Sequence, residues 1–294
     1  MDGIEIFLWF ACEQKCSFCF QKDLRYENPK FLDSSLVFDL IKKWYRNKKT
    51  SIIFSWGEAT LDKNLLDYIA YSKKIWFNDI RVHTNGLKFA DNESLLKFYN
   101  TGMTWVIISI HWYGKIHDIL VWYDSAFEKV KKTLVNITKI IQNNNNFTLD
   151  TNTVLTRTNY NSLHLLTKFL AYFPINRSQI VQLYSLYLFS WNEKKKLYIT
   201  YKEFEPYLSK IFPSKLNITF ENFPLCKLDK AYWDSVLTRK KYNNDAYGNI
   251  GEWLEDSDCT FIESCSICKK RDSCTWIPKD YLENYPHEKF YPFT

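Results

Sequence analysis

From residue 4 to about 190, short apolar runs alternate with amphipathic stretches, the pattern of βα units wound around a parallel sheet. Ile4 to Phe10 reads as the first strand. Behind the capping candidates Asp33 and Ser34, apolar residues recur at helical spacing (Leu36, Val37, Leu40, Ile41, Trp44, Tyr45), and Thr50 to Ser55 reads as the next strand. The alternation continues with a helix near Asn64 to Lys74, a strand ending at His83-Thr84-Asn85-Gly86, a helix near Asn92 to Tyr99 and a strand over Trp105 to Ile110. The longest helix is expected from Ser125 to Gln142, followed by a polar turn at Asn143 to Asn146 and a strand from Phe147 to Leu155. One more helix and strand carry the chain to about Leu188. Six such repeats are too few for a closed eightfold barrel and predict an α/β fold, a partial (β/α)6 TIM-type barrel.

After Trp191 the periodicity weakens and the chemistry changes, because five of the eight cysteines lie between Cys226 and Cys274. A boundary is expected near residues 195 to 215. It divides the chain into a barrel, 1–200, and a small C-terminal domain, 201–294, stabilised by metal because so short an irregular segment buries little apolar surface of its own.

Composition changes this picture in two ways. At 46% hydrophobic and 18% aromatic the chain has ample material for a core, so most aromatics are expected to fill it, and no apolar run is long enough for a membrane span. The segment before Phe10 lacks a basic region and a small-residue cleavage site, which predicts a cytoplasmic protein. In a reducing compartment, unevenly spaced cysteines are expected to bind metal rather than pair as disulfides. The net charge of +6 is spread along the chain, and no stripe of Lys and Arg interleaved with aromatics marks a nucleic-acid face.

Cys12, Cys16 and Cys19 form a C-x3-C-x2-C loop directly after the first expected strand. Three thiolates on one tight loop can hold three irons of a cubane cluster and leave the fourth iron open. Zinc is the competing reading, although three close cysteines without an obvious fourth ligand suit it poorly. In spacing, in position and in the aromatic Phe18 before the third cysteine, the loop resembles that of the radical S-adenosylmethionine (SAM) superfamily. The resemblance implies a 4Fe-4S cluster whose open iron chelates the amino and carboxylate groups of SAM. Electron transfer into the sulfonium would then give a 5'-deoxyadenosyl radical, with Phe18 packing against the adenine region.

Other positions fit the same resemblance. Ser55-Trp56-Gly57-Glu58-Ala59 stands where the family has a Gly-Gly-Glu-Pro-like turn, with Trp56 and Ala59 as departures, and Gly57 and Glu58 would meet the SAM amino group. Thr84-Asn85-Gly86 is similar to the Thr-Asn-Gly that shapes the family's cavity, so Asn85 is included among the cofactor-binding residues. Ser109 and Asn152, at or within later strands, match positions that contact the SAM ribose or carboxylate; the plain alternative is a capping or solvated polar group. His111 and His117-Asp118 are read either as substrate contacts at the barrel mouth or as surface residues.

The second set reads C-x32-C-x5-C-x2-C-x5-C from Cys226 through Cys259, Cys265 and Cys268 to Cys274. It resembles the core of the SPASM and twitch domains, which carry auxiliary 4Fe-4S clusters in many radical SAM enzymes. With fewer cysteines than a complete SPASM domain, one auxiliary cluster is expected, on Cys226, Cys265, Cys268 and Cys274. Cys259 is then an alternative ligand or a free thiol, and a structural zinc site is the competing reading.

The resemblance to the peptide-modifying subgroup implies a ribosomally made peptide as substrate. Its product would be a thioether or carbon–carbon crosslink or an epimerised residue, with the Cys259 thiol as candidate hydrogen donor for epimerisation. A reductant such as flavodoxin or ferredoxin is implied as partner. With the barrel starting so close to Met1, a separate leader-binding protein is expected. The alternatives are a radical SAM enzyme acting on a small molecule or RNA, and a non-catalytic zinc or iron–sulfur binding module.

Overall fold

The computed structural model describes residues 3–8, 10–19, 21, 31–183, 189–212, 215–237, 245–247, 259–275 and 277–294, with only the backbone of 245–247 and of Cys259. Its centre is one sheet of parallel strands: β1 (Gly3–Phe7), β2 (Ser51–Ser55), β3 (Asp79–Thr84), β4 (Trp105–Ser109), β5 (Thr148–Leu155), β6 (Arg177–Gln182) and β7 (Ile218–Glu221). They lie side by side in chain order, and the three-residue β8 (Asp245–Tyr247) pairs with the free edge of β1. The sheet curls into a half-barrel, as the alternation of strand and helix predicts.

Helices α1 (Ser34–Arg46), α2 (Leu65–Lys74), α3 (Asn92–Thr101), α4 (Lys115–Val121), α5 (Ala126–Asn143) and α6 (Leu163–Leu170) return the chain between strands. Each forms where sequence and cap agree. Asp33 caps α1 by accepting from the Ser35 N–H at 2.8 Å, and Val37, Leu40 and Ile41 bury one face while Lys43 and Arg46 sit in the last turn, favourable to the helix dipole. In α5, Val130, Thr133, Leu134, Ile137 and Ile140 recur at three- and four-residue steps and are all buried.

Strand register separates two faces. Ile6, Phe54, Val82 and Val106 are successive cross-strand partners and form one fully buried apolar row beneath the helices. The alternate residues face the concave side. There Ile53 is paired with Arg81 and Arg81 with Trp105, while further up the barrel Ser109, Asn152, Gln179 and Thr219 form a polar row. At the N-terminal end the lumen is closed by an ionic floor. The Arg81 guanidinium lies 3.7 Å from the Trp105 ring and pairs with Asp79, and Arg177 meets Asp150 at 2.9 Å.

The sheet departs from the expected six strands. After α7 (Trp191–Leu197) and α8 (Tyr201–Ile211) the chain re-enters it as β7. β7 is only four residues long, Ile-Thr-Phe-Glu, too short a run for its alternation to stand out. Two helix signals were nonetheless present: Ser190-Trp-Asn-Glu193 and Thr200-Tyr-Lys-Glu203 both close full capping boxes. A last helix, α9 (Lys279–Asn284), docks on this region. Its Tyr281 hydroxyl accepts from the Tyr201 N–H at 2.9 Å, and Arg157 joins Glu203 at 2.9 Å beside Tyr285.

Gly86 follows β3 with φ +80°, and a Cβ there would lie 3.3 Å from Ile108 Cγ2. Gly86→Ala is expected to cost about 1–2 kcal/mol from left-handed strain and crowding, read as a lower midpoint in thermal unfolding.

Candidate active site

The loop that carries the first three cysteines is pinned on two sides. Its Lys15 and Ser17 N–H groups donate to the Val121 and Leu120 carbonyls at 3.0 and 2.9 Å, which satisfies oxygens that the C-terminus of α4 leaves unpaired. Ala11 accepts from the Glu58 N–H at 2.7 Å, and the Cys19 N–H turns back onto the Cys16 carbonyl at 3.1 Å. Cys12, Cys16 and Cys19 are each half-buried on this loop. Burial first, and then the Glu58 carboxylate, pushes the Cys12 thiol well above its ordinary range. A metal that binds this sulfur must displace its proton, so ligation is coupled to deprotonation.

Glu58 ties the β2 turn to the end of β3. Its fully buried Oε1 accepts from the Thr60 N–H at 3.0 Å, the Thr60 hydroxyl at 2.6 Å and the Thr84 hydroxyl at 2.6 Å, and Oε2 accepts from the Asn85 N–H at 2.6 Å. The turn before it is left-handed at both Trp56, φ 71°, and Gly57, φ 56°. Holding Trp56 there costs on the order of 1 kcal/mol and requires compensating contacts. One is the Phe7 ring, stacked on the indole at 3.9 Å between centroids.

Around the upper lumen the structure leaves buried polar atoms without partners. Ser55 Oγ, Asn85 Nδ2 and Asn152 Oδ1 make no hydrogen bond within the protein. Ser55 ends β2, Asn85 follows β3, and Asn152 lies within β5 in the polar row that it shares with Ser109. A buried unsatisfied polar group costs about 1–3 kcal/mol, so a polar ligand at this position would recover that cost. Ser109 is here too, but its hydroxyl is already engaged with His83 Nε2 at 3.1 Å. Burial pushes that imidazole down to about 4, so it is neutral at physiological pH.

Phe18 is buried and meets His111 edge to face, 4.6 Å between ring centroids. The reading of His111 and His117 as surface residues is corrected: they are 4% and 0% exposed. His111 Nδ1 accepts from the Val154 N–H at 3.1 Å, and His117 Nδ1 accepts from the His111 N–H at 3.2 Å, so both serve the backbone at the barrel mouth. Asp118 caps α5, accepting from the Phe127 N–H at 2.7 Å. Sequence reasoning missed α4 itself. It has only seven residues, bounded by Gly114 at φ 73° and Trp122 in the left-handed region, too short for a periodic signal.

Burial holds the His117 imidazole down to about 4 and that of His111 well below its ordinary value. In the unfolded chain both take up a proton near pH 6.5. Below that pH the unfolded state therefore binds more protons, and stability falls as pH drops from about 6.5 towards 4. His117→Asn keeps an acceptor oxygen near Nδ1 and removes the titration. Its thermal midpoint is expected to vary less over that interval than that of the native protein.

The second cysteine set converges as well. Cys226, Cys265, Cys268 and Cys274 line one cavity together with Phe261, Ile277, Phe290 and Phe293. Burial first, then Cys274, pushes the Cys226 thiol up to about 12. Among the described residues the cavity wall offers sulfur and no imidazole or carboxylate, a soft donor set suited to iron–sulfur clusters or zinc. Among the described residues no three His, Cys, Asp or Glu side chains gather closely enough for a single ion. The Cys259 backbone pairs with Pro278 in a two-stranded ladder of β9 (Cys259–Thr260) and β10 (Ile277–Pro278). Its thiol, the expected hydrogen donor, lies outside the described residues.

Residues 6–170 match the family described as Radical SAM superfamily. No curated protein matches the chain. Among solved structures, that of SuiB from Streptococcus suis aligns with a TM-score of 0.56 at 14% identity, covering 74% of this chain and 48% of SuiB. SuiB bound to precursor peptide SuiA aligns with a TM-score of 0.55 at 13% identity, covering 74% of this chain and 48% of SuiB. Methylornithine synthase, PylB, aligns at 0.52 and 15% identity over 75% of this chain and 64% of its own. The chain spans about half the length of SuiB, and at these identities the likeness is one of fold. No helix among the described residues is long and apolar enough to cross a membrane.

Proposed function

Since the chain belongs to the radical SAM superfamily, whose members use SAM and a 4Fe-4S cluster, we propose that it generates a deoxyadenosyl radical and abstracts hydrogen from a ribosomally made peptide. When bound on Cys12, Cys16 and Cys19, the cluster supplies the electron that cleaves SAM. Around it, Gly57 and Asn85 offer polar groups to the SAM amino acid moiety. Glu58 holds that wall in place through its bonds to Thr60, Thr84 and Asn85. Asn152 and Ser109 face the ribose and carboxylate, and Phe18, fixed against His111, packs towards the adenine.

The observation that carries this reading is the group of orphaned atoms Ser55 Oγ, Asn85 Nδ2 and Asn152 Oδ1 together with a three-cysteine loop. Such atoms are open to hydrogen bonds from a polar ligand, and a cluster on three thiolates keeps one iron open for SAM.

The second cysteine set, in the part of the chain assigned to a SPASM- or twitch-like unit (201–294), is read as an auxiliary cluster on Cys226, Cys265, Cys268 and Cys274. The four thiols on one cavity wall support a metal site of soft sulfur donors, and the resemblance favours a cluster over zinc. That unit, together with the likeness in fold to SuiB in its complex with a precursor peptide, supports a peptide substrate. The partners are then the peptide, a leader-binding protein and a one-electron reductant such as flavodoxin or ferredoxin. The fold shared with methylornithine synthase favours a small-molecule substrate as the second reading.

The test is to mix reduced protein and SAM with peptides encoded beside its gene. The expected result is deoxyadenosine formation raised by one peptide, which either loses two hydrogens, as in a crosslink, or keeps its composition and takes up one solvent deuterium, as in epimerisation. Stimulation only by low-mass metabolites would replace the peptide reading with the second one.

A further inference from the structure

The segment 288–293 crosses the second cysteine cavity like a strap. It supplies Phe290, Tyr291, Pro292 and Phe293 to the cavity wall, while the Tyr291 side chain is 66% exposed, so solvent begins just beyond it. Three anchors hold the strap. Lys227, next to Cys226, donates to the Lys289 carbonyl at 2.6 Å, pairs with Glu288 at 2.7 Å and lies 4.2 Å from the Phe290 ring centroid. The Phe293 ring packs edge to face on Trp233 at 4.7 Å, and the Trp233 indole N–H is fixed by the Leu225 carbonyl at 3.1 Å. The Phe293 carbonyl accepts from the Lys269 N–H at 2.8 Å.

That last bond fixes the orientation of the Phe293 backbone, whose N–H points at sulfur: it donates to Cys268 Sγ at 3.5 Å. The Leu225 N–H likewise donates to Cys274 Sγ at 3.4 Å. Both donors are backbone groups held by their neighbours, so they are in place before any metal arrives. Hydrogen bonds to cluster sulfurs stabilise the more negative, reduced state and raise the reduction potential.

We propose that the N–H groups of Phe293 and Leu225 set the reduction potential of the auxiliary cluster, and that the 288–293 strap shields that cluster from oxidant. The inference rests on the second cysteine set holding a cluster. Phe293 is a positioning residue in this role, acting through its backbone rather than its side chain.

Phe293→Pro removes the N–H, and Phe293→Ala keeps it while losing the contact with Trp233; both open the strap to water, so their difference isolates the hydrogen bond. Midpoints are read by EPR-monitored redox titration of the full protein, following the signal that SAM does not perturb. The expected result is a more negative midpoint for Phe293→Pro than for Phe293→Ala. Both variants should also lose auxiliary iron in air several-fold faster than the native protein. Equal midpoints in the two variants would overturn the role of the donor, and unchanged iron loss would overturn the shield.

If the proline variant holds no second cluster, native protein labelled with 15N-phenylalanine answers instead. Pulsed EPR should show a phenylalanine nitrogen coupled to the auxiliary cluster, lost in Phe293→Ala, and absence of the coupling in native protein overturns the proposal. Failure of the underlying reading looks different. Native protein would then hold about four irons, or zinc at the second set, before any variant is made.

Discussion

Cys16→Ala is expected to abolish deoxyadenosine formation from SAM while the protein stays folded and keeps about four irons on its second cysteine set. The effect is all-or-none because the loop has only three thiolates, and with two left no site-differentiated cubane is held. The fold survives because the loop is fixed by its backbone: Lys15 and Ser17 donate to the end of α4, and Ala11 accepts from Glu58. None of these bonds uses the Cys16 side chain. Iron analysis, circular dichroism and a chromatographic assay for deoxyadenosine check the three parts separately. Residual cleavage in the variant would place the initiating cluster elsewhere.

Glu58→Ala is expected to destabilise the protein by about 3 kcal/mol and lower its thermal midpoint by roughly 6–10 °C. The carboxylate satisfies four donors from Thr60, Thr84 and Asn85 at once, and the methyl group of alanine satisfies none. Burial raises the Glu58 pKa, with Glu13 adding to the shift, while the bonds from Thr60, Thr84 and Asn85 oppose it. Removing the carboxyl group takes acceptors from both turns, which loosens the β2 turn and the end of β3. Glu58→Gln is expected to recover about half of the loss. Its amide oxygen can still accept from Thr60 and Thr84, but its NH2 then opposes the Asn85 N–H. Weaker SAM binding should accompany the loss of stability in both variants, with alanine the more affected.

Much of the architecture was legible in the sequence because each βα unit carries its own local signal. Val37, Leu40 and Ile41 bury one face of α1, and Asp33 caps it. The cysteine spacing fixed the loop, and the Gly57-Glu58 pair marked the turn that the structure places against it. What escaped depends on contacts far apart in the chain. His111 and His117 looked like surface residues because nothing local shows that a Val154 N–H, 43 positions away, needs the His111 ring as acceptor. Helix α4 is too short for periodicity, and the four residues of β7 are too few for their alternation to mark a strand.

The most direct test of the central claim is anaerobic reconstitution of the native protein with iron and sulfide, followed by reduction in the presence of SAM. About eight irons per chain and formation of deoxyadenosine and methionine are expected. Tightly bound zinc, with SAM left intact under reducing conditions, would contradict the radical enzyme and leave a metal-stapled binding module in its place.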